Sequence, residues 1–404
     1  MFPSLNEQMD IIRTGTLDLL PEDELEAKIN RSIKENKPLT IKLGADPSRP
    51  DLHIGHGVVL HKLRQFQDLG HHVVLIVGDF TGMIGDPTGK SKTRPALSIE
   101  ETRANGQSYL EQATKLLLAD SLEVRYNSDW LGKMNFMEVI KLASNYTVAQ
   151  LLERDDFSKR FKAGTPISVH EFMYPLAQAY DSFAIKSDIE VGGSDQKFNL
   201  LVGREIQKAY GCEPQCILTM PILEGTDGVE KMSKSLGNYI AFTDTPREIF
   251  GKVMSISDAL TTRYFQYGAF ASDEEVKKMA AGLLDGSVHP RNAKVETAMR
   301  IVEIYHDKAA AQGAFDEFER MFVKKDIPDE VDTFVLPAAE MTIVEAVAAA
   351  GMVASKKEAK KMIEQGGVYI DGERVAEIGQ KADFSTKHLL KVGKRKFMYA
   401  VYNA

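Results

Sequence analysis

The sequence predicts an α/β protein: a doubly wound, Rossmann-like parallel sheet, then an α-helical domain and a small, basic α+β domain. Three observations carry that expectation. Short apolar runs at LTIKLGA (39–45), VVLIVGD (73–79), IEVGG (189–193) and CILTMPIL (216–223) alternate with stretches of helical periodicity. From Asp244 to Val323 strand signals almost vanish. Residues 341–404 then carry eleven Lys or Arg against seven acids, in a chain whose formal net charge is -8.

The first strand, LTIKLGA, is followed by DLHIGHG (51–57) and by VVLHKLRQFQDLG (58–70), whose apolar residues recur at helical spacing up to Gly70. VVLIVGD completes a strand, helix, strand unit of the length a parallel crossover needs. Ligands of such a sheet belong at the carboxyl ends of its strands. A Gly- and Pro-rich loop, FTGMIGDPTGKSKTRPA (80–96), precedes a helix opened by a capping box of Ser98 and Glu101. SISDALTTRYF (255–265) and DEEVKKMAAGLL (273–284) typify the charged helical segment. KKDIPDEVDTFVLPAAEM (324–341), rich in charge and proline, reads as a linker. In the tail a second capping box, Ser355 with Glu358, opens KKEAKKMIEQ, which stops at Gly366 and Gly367; VYIDGERV is a hairpin turning on Asp371 and Gly372. The expected domains are 1–240, 241–325 and 341–404.

With 404 residues, 43% hydrophobic and 27% charged, the composition is ordinary for a globular chain of two or three domains. No apolar run approaches the roughly 20 residues of a membrane span, and MFPSLNEQMDIIRTG lacks the features of a secretory signal, so a cytoplasmic protein without a membrane partner is expected. Cys212 and Cys216 are the only cysteines and have no histidine nearby; they read as two reduced thiols, and no metal site is expected. An acidic chain does not coat nucleic acid in general, but its basic tail points to a polyanionic partner more than to a merely solvated face.

A helix that opens just after a strand presents unpaired N–H groups and the positive end of its dipole, which suits a polyphosphate. DLHIGHG sits at that junction, and His53 and His56, three apart, can both donate to phosphate oxygens, while Gly55 lets a flat base or sugar approach the backbone. Zinc would need a third ligand, and none is near. A second candidate is KMSKSLGN (231–238), after the flexible GTDGVE: Lys231 and Lys234 can bring two charges to a polyphosphate, with Ser233 and Ser235 adding hydroxyls. Alone, such a loop is more often only surface. Tyr174, Gln178 and Asp181 fall at i, i+4 and i+7, so one helix face can present all three to a small ligand.

HIGH at 53–56 and KMSKS at 231–235, in this order and on this sheet pattern, resemble the two motifs of the class I aminoacyl-tRNA synthetases. YPLAQAYD (174–181) and GGSDQ (192–196) are similar to the bacterial tyrosyl-tRNA synthetases, and the tail resembles a small RNA-binding domain of ribosomal-protein type, so the likeness covers almost the whole chain. The resemblance implies that L-tyrosine is activated by ATP with Mg²⁺, with no permanently bound cofactor, and passed to the tRNA for tyrosine. It implies a phosphate role for His53, His56, Lys231 and Lys234, with Asp46, Gly55, Gly192, Gly193, Asp195, Met232, Ser233 and Ser235 also at the ATP site. Asp86, Tyr174 and Gln178 would bind the tyrosine ammonium, Asp181 the phenol, Gln196 the region of the carboxylate, and Gly44 would line the same site. Lys90 and Arg94 would reach phosphates, and Lys356, Lys357, Lys360 and Lys361 would contact RNA. A homodimer joined through an insertion near 120–185 is implied as well. Two departures stand out. Lys42 occupies the place of a tyrosine that in many bacterial members shares the phenol contact, so either it points elsewhere or another group replaces that bond; and KMSKS replaces KFGKT or KFGKS, which points to the other bacterial subgroup.

Rivals fit less well. GDPTGKS (85–91) is almost a P-loop, but Ile84 stands where its first glycine is required and Pro87 removes a donor N–H. Tryptophanyl-tRNA synthetases share the class motifs, but Asp181, Tyr174 and the tail favour tyrosine. Small adenylyltransferases would leave the lysine loop and the tail without a task. A non-catalytic RNA-binding protein of the same shape would be marked by loss of His53, His56 or Lys234, and all three are present. The tail itself could instead be an oligomerisation domain.

Overall fold

Near-continuous apolar runs flanked by amphipathic helices must bury both faces of a sheet, and the computed structural model, which describes residues 2–47, 51–86, 99–322, 331–393 and 396–402, shows that sheet. The chain forms two compact units, Met1–Lys308 and Ala309–Ala404.

In the first unit six strands, β1 (Asp18–Leu20), β2 (Thr40–Ala45), β3 (His72–Val77), β4 (Leu122–Tyr126), β5 (Ile189–Gly193) and β6 (Cys216–Met220), lie in the order β1-β6-β5-β2-β3-β4. All neighbours are parallel except β1 and β6. From β2 the chain winds outward through β3 to β4, and from β5 it winds the other way to β6. The reversal between β2 and β5, in register at Lys42 and Glu190, opens a crevice at the carboxyl ends of the strands. The doubly wound sheet is therefore as the apolar runs indicate, while β1 and the half-buried, mixed β4 (LEVRY) gave no comparable signal.

Helix α1 (Ile54–Asp68) buries Ile54, Val58, Leu63 and Phe66 in the core. Helix α2 (Val169–Ile185) starts at Ser168, whose backbone N–H donates to the Glu171 carboxylate (2.8 Å), and stops at Lys186, which adopts the left-handed conformation. Among the described residues, 246–308 are helical or irregular: α3 (Pro246–Ser255), with Thr245 and Glu248 as its capping box and Pro246 in its first turn, packs on α4 (Pro290–Tyr305). No helix among the described residues is long and apolar enough to cross a membrane.

The second unit holds a five-stranded sheet around Ile343, Val347, Ala359, Val368, Phe384 and Leu390. The hairpin turn is where the sequence placed it, with Asp371 and Gly372 both at positive φ (49° and 87°). The linker expectation needs correcting: Thr333–Val335 is a strand parallel to Lys396–Val401, and Glu340–Thr342 pairs with Lys381–Asp383. Phe334 and Met341 pack on the core, and that burial outweighs the surrounding charge and proline. The capping box on α5 (Lys356–Glu364) is half made: Ser355 Oγ accepts from Glu358 N (3.2 Å), but the Glu358 carboxylate turns to Ala354 N (2.7 Å). Ser98 lies outside the described residues.

Candidate active site

The crevice at the β2/β5 reversal deepens into a cavity of about 630 Å³. Gly44 and Asp46 reach it from the end of β2, His53, Gly55 and His56 from the head of α1, Asp86 from the loop after β3, and Tyr174, Gln178 and Asp181 from one face of α2. Gly192, Gly193, Asp195 and Gln196 line it from the end of β5, and Lys231, Met232, Ser233, Lys234 and Ser235 from the lysine loop. Lys90 and Arg94 lie outside the described residues. Lys356, Lys357, Lys360 and Lys361 are exposed on α5 of the second unit.

At the sheet end of the cavity the polar groups are held in place by neighbours. Tyr174 Oη donates to Asp46 Oδ2 (2.8 Å) and Thr81 Oγ1 to Asp46 Oδ1 (2.7 Å), an arrangement that needs glycine at 78, where a Cβ would overlap the Asp46 carboxylate. Burial, with Asp46 and Asp86 nearby, holds the Tyr174 hydroxyl well above the usual phenol range, so it stays protonated and its lone pairs remain for a donor. Asp86 accepts from Arg154 (3.2 Å) and Gln196 Nε2 (3.0 Å), and Asn199 links those two donors. Asp181, buried, accepts from Trp130 Nε1 (2.7 Å) and Asn127 Nδ2 (3.2 Å). Burial pushes its carboxyl up to about 7, against the opposing pull of Lys42 and the two donors. Each Asp181 oxygen keeps lone-pair capacity for one more donor.

Lys42 points beneath the cavity floor. Its ammonium donates to Gln178 O (2.9 Å) and Ser182 Oγ (2.8 Å) and pairs with Glu190 Oε1 (2.9 Å), so it makes no contact that stands in for the missing tyrosine.

At the mouth, His53 N donates to His56 Nδ1 (3.1 Å), which places the His56 hydrogen on Nε2. The two rings lie 3.8 Å apart, and His53 Nδ1 is buried without a partner among the described residues. Burial, followed by the nearby positive charge, pulls His53 well below the usual imidazole value and His56 to about 4, so both are neutral at pH 7. A Cβ at Gly55 would come within 3.0 Å of His53 Nδ1, so glycine is required where the imidazole lies against the head of the helix. The lysine loop is stapled by Asn238 Oδ1, which accepts from Ser233 N (2.8 Å). Lys231 Nζ rests 3.3 Å from Asp195 Oδ2, and Lys234 pairs with Asp51. Behind the loop, Ile54 N donates to Ile240 O and Phe242 N to Leu52 O (both 3.0 Å), which stitches the two motifs together. Among the described residues no group of three or more His, Cys, Asp or Glu could hold a metal ion.

Residues 34–323 match the family model of the class I tRNA synthetases (W and Y), and 321–400 that of a tyrosine–tRNA ligase SYY-like C-terminal domain. The tyrosine–tRNA ligase of Bdellovibrio bacteriovorus is 51% identical over 401 residues, covering 98% of this chain and 99% of that one. The chain belongs to the tyrosine–tRNA ligase family of class I synthetases. The Thermotoga maritima tyrosine–tRNA ligase is likewise 51% identical, over 97% of this chain and 96% of its own. In fold the chain is similar to Archaeoglobus fulgidus tyrosyl-tRNA synthetase complexed with L-tyrosine (TM-score 0.64, 22% identity, 77% of this chain and 99% of that one). It is similar as well to a C-terminally truncated Aspergillus nidulans mitochondrial tyrosyl-tRNA synthetase (TM-score 0.62, 23% identity, 79% and 94%).

Sequence reasoning missed Asp51, Thr81, Asn127 and Glu190, which line the cavity, and Trp130 and Arg154, which hold Asp181 and Asp86. Asp51, two residues before His53, and Glu190, two before Gly192, stood near visible motifs.

Proposed function

We propose that the chain is a tyrosine–tRNA ligase that condenses L-tyrosine with ATP to tyrosyl-adenylate, releasing pyrophosphate, and then transfers the tyrosyl group to the 3′ end of its tRNA. The observation that carries the reading is a single cavity in which Asp181 shares a helix face with Tyr174 and Gln178, while two neutral imidazoles and two lysines line the other side. Relatives half identical over nearly the full length carry the same name.

In this reading Tyr174, Asp86 and Gln178 supply acceptors for the substrate ammonium, and Asp181 accepts from the phenol. Phenylalanine would leave the buried Asp181 without that donor, a discrimination for which tyrosyl-tRNA synthetases are themselves the standard illustration. The tyrosine carboxylate is already ionised at pH 7, so its attack on the α-phosphorus needs positioning and charge neutralisation and no general base. It approaches near Gln196. His53 and His56 donate to the phosphoryl oxygens as negative charge builds. Lys231 and Lys234 leave Asp195 and Asp51 for the pyrophosphate, an exchange their partly exposed side chains permit. The adenosine side of ATP lies along Asp46, Gly192, Gly193 and Asp195. Mg²⁺ arrives with ATP as part of the substrate and neutralises phosphate charge.

The exposed lysines of α5 give the tail its contact to tRNA phosphates. A second copy of the chain covers the insertion, where large apolar side chains lie exposed: Phe136 (79%), Met137, Ile140, Val148, Phe161 and Val169 (80%). Phe136→Asp combined with Phe161→Asp should then give monomers by light scattering, and an unchanged dimer would refute that interface. We place the enzyme in the cytoplasm with its tRNA and ATP.

The test is pyrophosphate exchange into ATP with each of the twenty amino acids in turn and no tRNA. Exchange with tyrosine alone supports the assignment; exchange with tryptophan would move the specificity, and none at all would leave an RNA-binding protein.

A further inference from the structure

Lys42 and Glu190 are partners across the switch point, 0% and 1% exposed, and the chemistry above uses neither. A buried ion pair is no more stabilising than a well-packed apolar pair, so stability alone does not account for one placed beside the substrate. Its geometry does. Glu190 Oε1 accepts from Lys42 Nζ (2.9 Å) and from Gln178 Nε2 (3.1 Å); Oε2 accepts from Ser182 Oγ (3.1 Å) and from Gln215. The carboxylate is thus filled by four donors, and there is no slack around it: a Cβ on Gly203 would come within 2.5 Å of Gln215 Nε2 and 3.3 Å of Glu190 Oε2.

An amide can meet a ligand with its oxygen or with its NH₂, and only the oxygen suits an ammonium. A carboxylate accepts and cannot donate, so Glu190 takes the NH₂ of Gln178 and leaves Oε1 for the cavity. Lys42 compensates the carboxylate's charge and, by donating to Gln178 O, pins the backbone of the same residue (2.9 Å). We propose that Lys42 and Glu190 are positioning residues that hold the Gln178 amide with its oxygen toward the cavity, making it an acceptor for the substrate ammonium. The inference rests on the tyrosine reading of the site.

The test compares two ligands by calorimetry on the full chain: L-tyrosine, and 3-(4-hydroxyphenyl)propanoate, which lacks the ammonium. Glu190→Gln puts an amide where only an acceptor stood, so the Gln178 amide can reverse. Losing one hydrogen bond to a charged group corresponds to about tenfold or more in affinity. Tyrosine should therefore bind at least about tenfold more weakly to the variant, while the propanoate should bind as it does to the unaltered chain. The double variant Lys42→Met with Glu190→Gln, which buries no unpaired charge, should behave alike and serves if the single variant does not fold. Equal weakening of both ligands, or of neither, overturns the proposal. Failure of the unaltered chain to bind tyrosine at all would instead overturn the site assignment on which it rests.

Discussion

Replacing Asp181 with Asn keeps the side chain's size and removes the charge a phenol would meet. The ionised carboxylate already accepts from Trp130 and Asn127; in the protonated form its own hydrogen competes with the phenol for the remaining lone pairs. With that carboxyl at about 7, kcat/KM for tyrosine should rise with pH through neutrality and level off above it, whereas the Asn variant should be flat there. A hydrogen bond to a charged acceptor is worth about 1.5–3 kcal/mol, so at pH 8 the variant should lose roughly 10- to 150-fold in kcat/KM for tyrosine. Phenylalanine should change little, and the ratio of the two falls by the same factor. Folding carries its own signature. The folded carboxyl is raised from 3.8, so the stability linked to its proton is fully present below about pH 4 and is lost as pH rises through 7. The loss is on the order of 4 kcal/mol, and the Asn variant should lack that slope in urea melts. Pyrophosphate exchange with tyrosine and with phenylalanine between pH 6 and 8.5 reads the first effect. An unchanged tyrosine-to-phenylalanine ratio, or a pH-independent kcat/KM for the unaltered chain, would refute the assignment of Asp181.

In the proposed mechanism Lys234 leaves Asp51 for the phosphates, so Lys234→Ala should lower exchange by roughly 10² to 10³ in kcat with tyrosine affinity unchanged; a rise in tyrosine Kd would argue against it. Deleting residues 331–404 should spare exchange and abolish tRNA charging. The cut belongs there and not at 341, because Thr333–Val335 would otherwise be left without Lys396–Val401, and a shortened chain that still charges tRNA normally contradicts the role of the tail. Gly57→Ala would set a Cβ 2.3 Å from Tyr305 Oη, a hydroxyl buried without a partner among the described residues, and should displace the head of α1 at a cost of about 1–3 kcal/mol. Tyr305→Phe should be close to neutral alone and should recover much of the loss in the double variant; simple additivity in the thermal melts would show that the two positions do not meet.

What was legible in the sequence is what lies close together along it. HIGH and KMSKS are short strings, and Tyr174, Gln178 and Asp181 share one helix, so local spacing alone set them on common faces. Apolar runs marked four of the six strands because burial on both faces leaves a dense signal, while β1 at the edge and the mixed β4 left almost none. The order of strands is a different kind of fact. Lys42 and Glu190 are distant in sequence and meet only because the winding reverses between β2 and β5. Read singly, Lys42 is an anomaly in an apolar strand and Glu190 an acid in another; only their adjacency shows that each makes the other tolerable in the core. The same holds for Arg154, whose partner Asp86 comes from the loop after β3. Such pairs carry no local pattern. They sit one bond behind groups that line the cavity, where the direction of an amide or carboxylate is decided, and that is the layer a motif cannot display.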